Sequence, residues 1–120
     1  MPDAGMTYFL PRLIGHGRAL HLCLTAGELD AANALDWGLV SAIYPTAELG
    51  PAALALAEQL AAGPTLAFSL IRRAFANSLS ADLAAQLEYE AMAQDAAGYH
   101  ADFRAGVQAF REKRPPQFKA

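Results

Sequence analysis

The stretch MPDAGMTYFLPR, residues 1–12, places a turn sequence directly before an apolar helical run, and the rest of the chain is organised around it. Its proline, aspartate and glycine at positions 2, 3 and 5 are residues that favour tight turns. Thr7 can cap a helix that continues to about Ile14, although Pro11 must shorten or kink that helix. From the residues alone, Asp3 is interpreted as a turn or helix-capping aspartate.

Beyond this stretch, apolar residues at helical spacing predict further helices that are separated by glycine and proline. Alanine, the strongest helix former, is frequent, and runs rich in Val, Ile and Thr are nearly absent. We therefore expect an all-α fold of five to seven short helices in one helical domain, residues 1–120. The later helices are expected at residues 18–25, 31–37, 51–62, 65–77, 81–97 and 101–113. Asp30 and Gly38 are expected to bound the helix 31–37, Pro51 to begin the helix 51–62, and Ser80 to cap the helix 81–97. Residues 39–44 are expected to be extended or to form a lone edge strand.

Charge and composition exclude several classes of function. The net charge is −3, and no basic block precedes the last residues, which argues against nucleic acid as a partner. No apolar run approaches the roughly 20 residues of a membrane span, so no membrane partner is expected. The sole cysteine, Cys23, fits a reducing cytoplasm, which is the predicted location. The three histidines are scattered and predict no metal site.

Several short motifs occur in an order that resembles the C-terminal part of the enoyl-CoA hydratase/isomerase (crotonase) family. Within this family, the motifs look most similar to those of the isomerase branch of phenylacetate degradation. The resemblance implies the helical, oligomer-forming part of a crotonase-like fold. It also implies that the N-terminal part, which carries the oxyanion hole, is absent here. The matching motifs are Pro2-Asp3-Ala4-Gly5, Leu10-Pro11-Arg12, Gly38-Leu39-Val40, and Ala109-Phe110 followed by Lys113-Arg114 and Phe118.

The resemblance also assigns site residues. It implies that Asp3 is a catalytic acid/base beside an acyl thioester, where such a carboxyl needs apolar walls. Met1, Met6 and Tyr8 are the side chains expected to form those walls. It further implies that Phe110 and Lys113, which lie three apart on the last predicted helix, contact the adenosine and 3′-phosphate of coenzyme A. For this pair, a core phenylalanine and a solvated lysine remain the alternative.

Two functions from different classes remain open. In the first, the chain is part of an enzyme that isomerises or hydrates an enoyl-CoA, with coenzyme A as part of the substrate and no covalently bound cofactor. In the second, it is a non-catalytic helical oligomerisation module from a truncated gene. Wide apolar faces in a short chain predict a homo-oligomer, which the resemblance makes a trimer or hexamer. Little or no turnover is expected of the isolated 120 residues.

Overall fold

The computed structural model describes residues 1–118, which form seven helices and no strand. The predicted all-α fold of five to seven helices is thereby confirmed. Residues 39–44 form an irregular connection between helices rather than an edge strand. The helices are α1 (Met6–Ile14), α2 (His16–Thr25), α3 (Ala31–Asp36), α4 (Thr46–Ala61), α5 (Thr65–Ser78), α6 (Leu83–Tyr99) and α7 (Ala101–Arg111).

The chain divides into two compact units, Met1–Ala52 and Ala53–Ala120. The first unit has its core where α1 packs on α2. Leu10 and Ile14 of α1 and Ala19 of α2 are buried there, because the apolar side of each helix faces the other. Partly buried apolar side chains complete this core: Leu22, Cys23, Trp37 and Leu39.

Helix α3 is fixed at both ends by the residues that the sequence singled out. Asp30 caps its start, since the Asp30 Oδ1 atom accepts the backbone N–H of Asn33 at 2.8 Å. Gly38 follows its end with a φ of 78°, a left-handed conformation that glycine adopts without steric cost. Its N–H bonds the carbonyl of Leu35 at 3.0 Å, and the N–H of Leu39 bonds that of Ala34 at 2.9 Å. These two bonds form a Schellman motif.

In the second unit, α5 packs on α6 and α6 packs on α7. Polar side chains join the first pair: Gln86 Oε1 accepts the side-chain amide of Asn77 at 3.1 Å. Gln86 Nε2 also donates to the carbonyl of Ala74 at 3.2 Å. Gly63 lies where α4 gives way to α5, with no room for a Cβ atom beside the ring of Phe68. The helices of this unit are therefore set by polar bridges and close approaches as well as by apolar contact.

Three predicted helix starts are wrong. Helix α1 begins at Met6 after Gly5, so Thr7 lies inside the helix and does not cap it. Helix α4 begins at Thr46, so Pro51 lies inside it rather than at its first position. The helix begins earlier than predicted because the carbonyl of Pro45 accepts the N–H groups of Glu48 and Leu49, and these bonds form its first turn.

Helix α6 is capped by Asp82 and not by Ser80. The Asp82 Oδ1 atom accepts the backbone N–H of Ala85 at 2.8 Å. The hydroxyl of Ser80 instead lies 3.4 Å from the carbonyl of Asn77, and so belongs to the end of α5. Gly98, expected to end this helix, lies within it.

Helices α4, α5 and α6 leave large apolar side chains exposed within residues 1–118. None of the three helices contains a buried residue. In this part of the chain no single helix is long and apolar enough to cross a membrane, and α4 with α5 meets the requirement only as a bent pair. The expectation of surplus apolar surface is met at these exposed side chains: Leu54, Ile71, Phe75, Leu83, Leu87 and Met92.

Candidate functional site

Asp3 stands at the first position of a tight turn that leads into α1. Its backbone carbonyl accepts the N–H of Met6 at 2.8 Å. The two residues between them have positive φ angles, 49° at Ala4 and 80° at Gly5. A left-handed alanine is strained by about 1–2 kcal/mol, and such strain is concentrated at functional sites in proteins. The backbone that carries Asp3 is thus held in one defined and costly conformation.

The side chain of Asp3 is exposed in this chain. Met1 and Met6, expected to wall it, are exposed as well. The ring of Tyr8 is instead covered by the guanidinium of Arg12, whose carbon lies 3.7 Å from the ring centroid. The neighbouring side chains therefore form no apolar enclosure around this carboxyl, and the expectation about these walls is wrong for the chain by itself.

Helix α7 ends in a Schellman motif with a lysine at the position that usually holds glycine. The N–H of Lys113 donates to the carbonyl of Phe110 at 3.2 Å, and that of Arg114 donates to the carbonyl of Ala109 at 3.1 Å. Lys113 has a φ of 53°. Gly38 fills the matching position after α3, so the chain uses the same motif once with glycine and once with a strained lysine.

This motif changes the predicted relation between Phe110 and Lys113. The helix stops at Arg111, so the two residues do not share a helix face as expected. They are joined by the backbone hydrogen bond of the cap instead. Ala109, the anchor of the motif, is only 1% exposed, whereas the adjacent Phe110 is 85% exposed. The turn therefore holds an exposed aromatic ring and an exposed lysine three residues apart in the chain.

Glu112, between these two residues, is occupied by other partners. Its Oε1 atom accepts the side-chain amide of Gln108 at 2.9 Å. Its Oε2 atom accepts Nε of Arg114 and pairs with that guanidinium. The Gln108 hydrogen bond and then the Arg114 contact lower the pKa of Glu112. Within residues 1–118 no ion pair involves Lys113.

Phe110 also borders an apolar cavity of about 500 Å³ inside the second unit. At its edge lies Asp102, a buried carboxylate that is 6% exposed. The nitrogen Nδ1 of His100 lies 3.2 Å from Asp102 Oδ2 and 3.3 Å from the Asp102 backbone N–H. It can serve only one of these groups at a time, depending on whether it carries a proton. The other cavity walls include Leu66, Phe103, Val107 and Phe118.

The predicted site residues fall in different units. Asp3 lies in the first unit, and Phe110 and Lys113 lie together in the second. In the described part of the chain, no three His, Cys, Asp or Glu side chains are grouped to hold a metal ion. The roles of Glu112 and Arg114 were not predicted, because they depend on the left-handed end of α7 at Lys113. A lysine in a sequence does not indicate such a helix end. The role of His100 was also not predicted, although its place before an acidic first turn was the available signal for a helix cap.

Comparison with known proteins gives one consistent family. The model of a family described as "Enoyl-CoA hydratase/isomerase" matches residues 1–120. The chain is 46% identical over 98% of its length to a "Probable enoyl-CoA hydratase" of Rhodobacter capsulatus. It is 40% identical over 98% of its length to the 1,2-epoxyphenylacetyl-CoA isomerase of Escherichia coli. The crystal structure of the enoyl-CoA hydratase of Bacillus anthracis superposes with a TM-score of 0.91 at 38% identity, over 99% of this chain.

The chain spans less than half of the length of these relatives. It covers 46% of the Rhodobacter protein, 45% of the Escherichia protein and 46% of the Bacillus structure.

Proposed function

This chain belongs to the enoyl-CoA hydratase/isomerase family, and we propose that it is the C-terminal helical part of an enzyme that isomerises or hydrates an enoyl-CoA thioester. The observation that carries this proposal is the end of α7. An exposed aromatic ring at Phe110 suits a purine, and the ammonium of Lys113, which forms no ion pair within residues 1–118, suits a phosphate as a point charge. Coenzyme A offers both groups at one end, and enters as part of the substrate.

Asp3 is the acid/base in this proposal. Its carboxylate takes a proton from one carbon of the acyl chain and returns it to another as the double bond moves. The strained turn at Ala4 and Gly5 supports this role, because it holds the Asp3 backbone in one position. A carboxyl works in this way only when it is shielded from water, and the exposed Asp3 of this chain requires walls from further residues.

The proposal places the stabilisation of the thioester enolate outside these 120 residues. Backbone donors to such an oxyanion are worth about 2.7–4 kcal/mol each. The isolated chain is accordingly expected to show no measurable turnover. The 40% identity to an epoxyphenylacetyl-CoA isomerase supports isomerisation and the 46% identity to a probable enoyl-CoA hydratase supports hydration, so the proposal includes both reactions.

Assembly into a trimer or hexamer is part of the same proposal. No residue of helices α4, α5 and α6 is fully buried, and their exposed side chains such as Leu54, Phe75 and Leu87 are available to other protein surfaces. The competing function, a non-catalytic oligomerisation module, rests on the same exposed faces and needs neither Asp3 nor Lys113.

One experiment separates the two functions. Coenzyme A is titrated against the 120-residue chain and its Lys113→Ala variant, with amide chemical shifts as the readout. The enzyme proposal predicts shifts around residues 110–114 that weaken in the variant. Oligomer formation without any effect of coenzyme A on these residues would favour the non-catalytic module.

A further inference from the structure

We propose that Arg114 is a positioning residue for Lys113: by occupying the carboxylate of Glu112, it leaves the Lys113 ammonium available to an anionic ligand. This inference rests on the proposed phosphate-binding role of Lys113. It extends that role to two residues, Glu112 and Arg114, which make no contact with the ligand in this scheme.

The first support is the pairing at the end of α7. Glu112 is the carboxylate adjacent to Lys113 in the chain and is the natural competitor for its ammonium. Both of its oxygens are engaged, Oε1 by Gln108 at 2.9 Å and Oε2 by Arg114. Arg114 also donates from Nη1 to the carbonyl of Pro115 at 3.3 Å, which holds the guanidinium back against the chain. A planar guanidinium keeps such paired contacts better than a lysine does.

The second support is the conformation of Lys113 itself. A left-handed φ of 53° costs a non-glycine residue about 1–2 kcal/mol, and glycine fills the same position after α3. A lysine kept at this position despite that strain indicates a use for its side chain. The left-handed turn also takes the backbone at Lys113 out of the helical conformation that ends at Arg111.

The third support concerns the negative end of the helix dipole. Free carbonyl groups at a helix C-terminus disfavour an approaching anion. Here the carbonyls of Gln108, Ala109 and Phe110 accept the N–H groups of Glu112, Arg114 and Lys113 respectively. The capping motif therefore reduces the repulsion that a phosphate would meet beside Lys113.

A test that needs no ligand follows the carboxyl group of Glu112 by NMR as pH is changed. In the wild-type chain, Lys113→Ala should leave the pKa of Glu112 unchanged, because the two side chains are not paired. In the Arg114→Gln background, Glu112 is free to pair with Lys113, so Lys113→Ala should raise that pKa. An equal rise in both backgrounds would show that Lys113 already pairs with Glu112, and would overturn the inference.

A second test uses coenzyme A and dephospho-coenzyme A, which lacks the 3′-phosphate. Arg114→Gln should weaken coenzyme A binding about two- to fivefold, the usual scale of an exposed charge pair, and leave dephospho-coenzyme A unaffected. Glu112→Gln combined with Arg114→Gln should restore the affinity. Failure of this double variant to recover would mean that Arg114 contacts the phosphate itself, which contradicts a positioning role.

The outcomes of the two tests distinguish a failure of the positioning role of Arg114 from a failure of the proposed phosphate binding by Lys113. If Lys113→Ala does not change discrimination between the two ligands, the phosphate-binding role of Lys113 is wrong. If Lys113→Ala abolishes discrimination but the Glu112 and Arg114 changes are simply additive, only the positioning role is wrong.

Discussion

The backbone N–H of Lys113 donates to the carbonyl of Phe110 at 3.2 Å, two residues beyond the last residue of α7. Because Lys113 has a left-handed conformation, Lys113→Gly should unfold at a higher denaturant concentration than Lys113→Ala. The expected difference is about 1 kcal/mol. Both variants should lose coenzyme A affinity equally, since both lack the ammonium. Equal stability of the two variants would show that the lysine is not strained.

Replacement of glycine by alanine should have opposite effects on stability at Gly63 and at Gly98. In Gly63→Ala the new Cβ would meet the ring of Phe68, so this variant should be destabilised by about 1–3 kcal/mol. Gly98 lies in α6 with open space around it, so Gly98→Ala should gain about 0.5 kcal/mol. Chemical denaturation of both variants is the measurement. A neutral Gly63→Ala would mean that Phe68 moves aside without cost.

The cap of α6 can be tested against a matched aspartate on the same helix. Asp82→Ala removes the acceptor of the Ala85 N–H and should cost about 1 kcal/mol of unfolding free energy. Asp95→Ala removes an exposed carboxylate from the C-terminal half of the same helix and should leave stability unchanged or slightly higher. If both variants lose the same stability, the effect of Asp82 is one of charge and not of capping.

The free energy of unfolding should depend on pH through the carboxyl group of Asp30. The backbone N–H of Asn33, and then its side-chain amide, lower the pKa of Asp30 below its ordinary value. The folded state therefore binds this proton less tightly than the unfolded state does. The stabilisation is present above the unfolded-state pKa and is lost as pH falls through the lowered folded-state value.

The variant Asp30→Asn keeps a good helix cap and removes the titration. Below about pH 4 the wild-type melting temperature should fall more steeply than that of Asp30→Asn. Melting curves of the two proteins that run parallel through acid pH would contradict this prediction.

Local sequence signals predicted the elements of the fold better than their boundaries. Asp30 and Gly38 were identified because capping depends on nearby backbone groups that the sequence specifies directly. Pro51 misled the prediction, since a proline is accepted inside α4 when the carbonyl of Pro45 has already opened the helix. Ser80 and Asp82 are both good caps, and only the three-dimensional path of the chain decides between them.

The candidate site was predictable only in part. The family resemblance selected Phe110 and Lys113, and the structure explains their proximity by a helix cap that the sequence did not indicate. The surroundings of Asp3 could not be predicted from nearby residues, because side chains that shield a carboxyl from water often come from distant parts of a chain. Here Met1 and Met6 are exposed instead of closing over it.

The central claim, that Asp3 is the acid/base of an enoyl-CoA enzyme, is tested most directly by the turnover number of Asp3→Asn. The substitution is made in the 120-residue chain and in a protein that joins this chain to the remainder of the family fold, with one enoyl-CoA substrate. The joined protein should lose about 10²- to 10⁴-fold in kcat, the usual worth of a general acid/base. The 120-residue chain should show no turnover with or without the substitution. Full activity of the joined Asp3→Asn protein, with its fold intact, would contradict the account.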